Sequence, residues 1–101
     1  KDKNMRIGVI KALSGIADNR AVKPLTGLLK DNIDEVRLNA VMALGQIGGR
    51  ETLNPLIKML SDENGDVVIA ASEALGVLRD EKSLNGNILG TMYRKIFYEE
   101  D

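Results

Sequence analysis

The stretch Val36-Arg37-Leu38-Asn39-Ala40-Val41-Met42-Ala43-Leu44-Gly45-Gln46-Ile47-Gly48 decides the fold. Its apolar residues recur at spacings of three and four, the period of an amphipathic helix with one buried face. Weaker copies lie on both sides. Arg6 to Ala17 reads R-I-G-V-I-K-A-L-S-G-I-A, and Val68 to Arg79 reads V-I-A-A-S-E-A-L-G-V-L-R. Arg6, Arg37 and Val68 stand 31 residues apart. A repeat of this length predicts stacked helix pairs, each with an apolar face that it cannot bury alone.

The segments between the copies complete the pairs. A first long helix is expected over about 4–17, with Met5, Val9, Ala12, Leu13 and Ile16 as its buried face. A shorter helix follows over about 20–30, with Val22, Leu25, Leu28 and Leu29 inward. Asp34 is expected to cap the organising helix, which buries Val36, Ala40, Val41, Leu44 and Ile47, and Gly48-Gly49 to stop it. A second short helix is expected over about 51–60, with Leu53, Leu56, Ile57 and Leu60 inward, and a third long helix over 67–78. Pro24 and Pro55 are again 31 residues apart. Both fit the first turn of a short helix, where backbone N–H groups lack partners anyway.

Comparison of residues 6–36 with 37–67 gives nine identities. They include Arg6/Arg37, Ala12/Ala43, Leu13/Leu44, Pro24/Pro55 and Asp31/Asp62. Most are apolar, capping or proline positions, so they report packing. After Glu81 the pattern decays, and Gly86 stands where a proline is expected. Leu84, Ile88, Met92 and Ile96 continue at spacing four beside Leu89, Tyr93 and Phe97. This reads as a divergent terminal helix, either a cap that closes the core or a docking helix for another domain.

Composition narrows the function classes. The 101-residue chain is 44% hydrophobic and 3% aromatic, so its core is aliphatic. The net charge of −1 exerts no general pull on nucleic acid or anionic membrane. It is distributed unevenly, +3 over residues 1–34 and −4 over 35–101. There is no apolar run of about 18 residues, so no membrane span is expected. With no Cys there are no disulfides, and a cytoplasmic location is the expectation. With neither His nor Cys, the commonest nucleophile–base pairs and zinc sites are missing. Asp62-Glu63-Asn64-Gly65-Asp66 has the acids of a calcium loop, but Val67 replaces the required glycine. Gly45 to Gly49 follows no strand and matches no phosphate-binding loop. No catalytic residue, metal or cofactor is expected.

The unit V-R-x-x-A-x-x-A-L-G-x-I-G, followed by P-L-I-x-x-L-x-D, resembles the HEAT-like repeat of the phycobilisome-lyase type. Residues 36–62 match almost throughout. The first copy has Ser14 in place of Gly45, and the third has Val68 in place of the arginine. The resemblance implies an all-α fold, an α-α superhelix (right-handed α-solenoid) of about three HEAT-like helix pairs. It places repeat 1 at about 4–31, repeat 2 at 34–62, and repeat 3 with its capping helix at 65–99. The whole then forms one domain, compatible with a longer array. It also implies inter-repeat polar contacts from Arg6 and Arg37, with Asp18, Asp31 and Asp62 as acceptors. It implies an interaction scaffold and carries no lyase activity with it.

The expected binding surface is the concave face lined by the short helices. Arg20, Lys23, Lys30, Asn54, Lys58 and Asn85 point outward there, and none of them is acidic. This predicts a protein partner that offers an acidic segment. The alternatives are a nucleic-acid or phosphate ligand on the same basic stripe, or a regulatory segment of a larger enzyme.

Overall fold

The computed structural model describes residues 2–16 and 18–80. Helix α1 spans Lys3–Ile16, α2 Val22–Leu28, α3 Asp34–Ile47, α4 Leu53–Lys58 and α5 Gly65–Asp80. Single 3₁₀ turns at Asn19–Ala21, Arg50–Thr52 and Met59–Ser61 flank the two short helices. Among the described residues there is no strand. Helix α3 lies between α1 and α5, while α2 packs on α3 as α4 packs on α5. The long helices form one layer and the short helices a second.

The core between the layers is aliphatic. Leu25, Leu44, Leu56 and Leu75 are fully buried, with Val36, Val41 and Val67 beside them. Gly45 sets the spacing of α3 and α5: a Cβ there would lie 2.9 Å from the Cβ of Ala74. The long helices can approach this closely only because one of the facing residues has no side chain.

The short helices are shorter than their periodicity predicts, because hydrogen bonding tightens both ends. At the start of the first, the Asp18 carboxylate accepts the Arg20 N–H at 2.8 Å and holds the turn. At its end, the N–H groups of Leu29, Lys30 and Asp31 reach carbonyls three residues back, at 3.2–3.3 Å. Pro24 and Pro55 are each the third residue of their helix, within the first turn. Gly48 and Gly49 stop α3 with φ of 70° and 89°, a backbone that favours glycine. The Gly48 N–H bonds to the Leu44 carbonyl at 3.0 Å. The fully buried Thr52 then donates its hydroxyl to the Gly49 carbonyl at 2.8 Å.

Two local expectations are corrected. Helix α1 buries Ile7 and Ile10, and leaves Met5, Val9, Ala12 and Ile16 exposed. The periodicity of α1 supports two adjacent apolar stripes, and among the described residues the long helix that packs against it is α3. Asp34 is the first residue of α3 and not its cap. Ile33 holds that position without a side-chain bond, and the Asp34 carboxylate turns to Arg37. At α5 the cap is Asn64, whose Oδ1 accepts from Asp66 at 2.9 Å and Val67 at 3.2 Å. The expected capping helix over 84–97, with Tyr93 and Phe97, lies outside the described residues.

Candidate functional site

Two arrangements of polar residues stand out, and they differ in kind. The first joins arginines of the long helices to aspartates of the turns. Arg37 is nearly buried, its side chain 8% exposed. Its Nε and Nη2 donate to the two carboxylate oxygens of Asp62 at 2.9 and 3.2 Å. Nη1 donates to the Asp31 carbonyl at 2.7 Å, and Nη2 also reaches Asp34. The bond from Asp62 raises the Arg37 guanidinium above its ordinary range against the opposing effect of burial, and Asp34 adds to it. In the first repeat, Arg6 Nη2 donates to Asp31 at 3.2 Å. Arg6 Nε lies 2.6 Å from the other Asp31 oxygen with its N–H not aimed at it, a coulombic contact.

The aspartates have a second duty. Asp31 accepts the Ile33 N–H at 3.0 Å, and Asp62 accepts the Asn64 N–H at the same distance. Burial pushes the Asp31 carboxyl up, but the Ile33 N–H and the Arg6 guanidinium outweigh it and hold it below the usual carboxylate range. Each carboxylate therefore ties a long helix to the turn after the short helix of the same repeat. The bond from Arg37 to the Asp31 carbonyl crosses from one repeat to the other. All three Arg37 nitrogens are used by protein acceptors. This network orders the fold and offers a ligand little.

The second arrangement is a groove of 330 Å³ between the short helices. Its walls are Thr26, Leu29 and Lys30 from the first short segment, and Asn54, Pro55, Lys58 and Met59 from the second. Leu29 and Met59 are buried and form its floor. Thr26 uses its hydroxyl hydrogen on the Val22 carbonyl at 2.8 Å. Lys30 and Lys58 are exposed at the rim, and neither pairs with a carboxylate among the described residues. An aliphatic side chain can be buried on this floor while a neighbouring carboxylate meets an ammonium.

Of the six residues expected on this face, Lys30, Asn54 and Lys58 come together at the groove. Lys23 is exposed on α2 but does not line it. Arg20 is drawn back to Asp18, with its Nε and Nη2 at 3.3 and 3.1 Å from that carboxylate. Asn85 lies outside the described residues. Sequence reading missed the floor. Leu29 reads as core, which it also is, and Met59 sits off the apolar stripe of the second short helix.

Among the described residues no group of three or more acidic side chains is placed to hold a metal. No described helix is long and apolar enough to cross a membrane. The profile of HEAT repeats matches residues 28–86, from the end of α2 past α5. No curated protein matches the chain.

Proposed function

Because the chain belongs to the HEAT-repeat family, we propose that it is a protein-interaction module whose groove between α2 and α4 takes an acidic segment of a partner. HEAT repeats commonly mediate protein–protein interaction, and the family is generally non-catalytic. The observation that carries the reading is the groove itself: an apolar floor of Leu29 and Met59 under Lys30 and Lys58, neither of them paired with a carboxylate among the described residues. The complement is a peptide with an aliphatic residue between acidic ones, provided by a protein of the cytoplasm. In this reading the helix pairs follow a right-handed superhelix of the phycobilisome-lyase type, the short helices lie on its concave side, and the chain acts as one domain. Equivalent positions of successive pairs then line up along one extended surface.

The test is selection of random displayed peptides on the intact chain and on its Lys30→Glu/Lys58→Glu variant. The reading expects enrichment of peptides with acidic residues flanking Leu, Ile or Met. Their affinity for the variant should fall roughly tenfold or more, as opposed charges become like charges. Enriched peptides that bind both proteins equally, or that carry no acidic residues, would overturn it. The variant should keep its thermal midpoint, because exposed charges contribute little to folding.

A further inference from the structure

The long-helix layer has an outer surface that faces away from the short helices. Two depressions run along it, one between α1 and α3 and one between α3 and α5, and every residue lining them belongs to a long helix. Met42 borders both and forms the ridge between them. It is 47% exposed. A flexible thioether in this position suits a contact whose shape must adapt.

The 31-residue register puts Lys11 on α1, Met42 on α3 and Glu73 on α5 at one equivalent position. Across the surface they form a row of cation, apolar side chain and carboxylate. Lys11 and Glu73 are exposed, and neither forms an ion pair with a described residue. They differ in this from Lys3, which pairs with Glu35 at 2.9 Å, and from Arg6 and Arg37, which pair with turn aspartates. Met42 is therefore flanked by opposite charges that the described residues leave uncompensated.

Such a row is complementary to a second copy of itself. A two-fold axis lying in the surface along α3 sets Met42 of one copy on Met42 of the other. It also lays α1 over α5 of the second copy, so Lys11 meets Glu73 of that copy on one side and Glu73 meets its Lys11 on the other. The neighbouring turns conform. Asn39 and Gln46 on α3 meet their own copies, and a side-chain amide can both donate to and accept from an identical amide. Gly8 and Gly15 on α1 come opposite Ala70 and Val77 on α5. A Cβ at either glycine would have nothing within 4 Å, so both leave room for a partner's apolar side chain. Glu35, which the axis also sets against its own copy, has its charge met by Lys3.

We propose that the chain forms a two-fold dimer, back to back through this outer surface, with Met42 at the axis and a Lys11–Glu73 pair on each side. The contact is isologous, so association closes at two chains. It is one helix ridge wide with two flanking pairs, which puts it below about 1,200 Å², in the range of weak specific contacts. The long side chains of Lys11 and Glu73 span the gap on either side of the ridge. The interface is separate from the groove between α2 and α4, which stays open on the far side of each copy.

Sedimentation equilibrium of the full chain tests this. At low salt the average mass should approach two chains as the concentration rises to about 1 mM and go no higher. Added salt should weaken the association, because the flanking pairs are exposed. Met42→Glu should weaken it about tenfold or more, by bringing two carboxylates together at the axis. Lys11→Glu alone and Glu73→Lys alone should do the same, since each sets like charges against one another on both sides. Mixed in equal amounts, these two single variants should pair with each other about as readily as the native chain dimerises, because opposite charges meet again on both sides. Lys11→Glu/Glu73→Lys should likewise dimerise by itself. All three positions are exposed, so circular dichroism should show every variant folded. A chain that stays monomeric at about 1 mM overturns the proposal. So does growth beyond two chains, dimerisation undiminished by Met42→Glu, or single variants that fail to pair when mixed.

Discussion

Arg37→Met is the substitution with the most informative consequence. The methionine keeps the stem of the arginine and removes its charge. It strands Asp62, whose side chain is 10% exposed. Removing one partner of a buried pair costs about 3–5 kcal/mol. The lower end applies here for two reasons. Asp62 keeps the Asn64 N–H at 3.0 Å, and Asp34 is 52% exposed and rehydrates readily. A loss of about 3 kcal/mol lowers the midpoint of a domain of this size by about 12–24 °C. Asp62→Leu should cost about as much by stranding the guanidinium. The double variant Arg37→Met/Asp62→Leu should cost much less than the sum, since an apolar pair can replace a buried ion pair almost neutrally. Urea titrations followed at 222 nm give all four free energies. A single-variant loss under about 1 kcal/mol, or a double variant that costs the full sum, would refute this account of the network.

Leu44→Ala, at a fully buried position between the layers, should cost about 2–5 kcal/mol in the same titration. Two glycines should respond with opposite signs: Gly8→Ala, with open space around it, should gain roughly 0.5–1 kcal/mol from helix propensity. Gly45→Ala should lose about 1–2 kcal/mol net, because overpacking against Ala74 exceeds that gain. Asp31 supplies a pH dependence. Its carboxyl titrates lower folded than the value of about 3.9 for an unfolded chain. Its contribution is therefore complete above about pH 5 and is lost as pH falls through the folded value. The stability gap between the native chain and Asp31→Asn should be constant from pH 7 to 5 and shrink below about pH 4, and a gap unchanged at pH 3 would contradict the pairing with Arg6.

The fold was legible because it repeats. Each of Leu13/Leu44, Pro24/Pro55 and Asp31/Asp62 occupies a position set by packing or turn geometry. Periodicity located all five described helices within a few residues. It failed at α1, where Met5, Val9 and Ile16 extend the pattern of a buried face but stand exposed. Helix period reports which side chains share a stripe, and only tertiary contact decides which stripe is covered. The Arg–Asp pairing was partly visible too. Val68 and Tyr93 stand at the positions equivalent to Arg37 and Asp62, so in the third copy both partners are absent together. The groove was less legible. Three of its seven lining residues, Lys30, Asn54 and Lys58, follow from the outward positions of the short helices. Its floor depends on how far apart α2 and α4 lie, a distance that no residue spacing encodes. Arg20 stays exposed, as expected, but Asp18, two residues away, holds its guanidinium away from the groove.

The central claim is that the groove between α2 and α4 is the binding surface. Amide chemical-shift mapping of the isotopically labelled chain tests it most directly, with an acidic peptide carrying one leucine as titrant. The account predicts shifts concentrated at residues 26–30 and 54–59 that saturate with peptide and disappear in Lys30→Glu/Lys58→Glu. Shifts concentrated instead on the outer surface of α1, α3 and α5, around Met42 and Glu73, would contradict it.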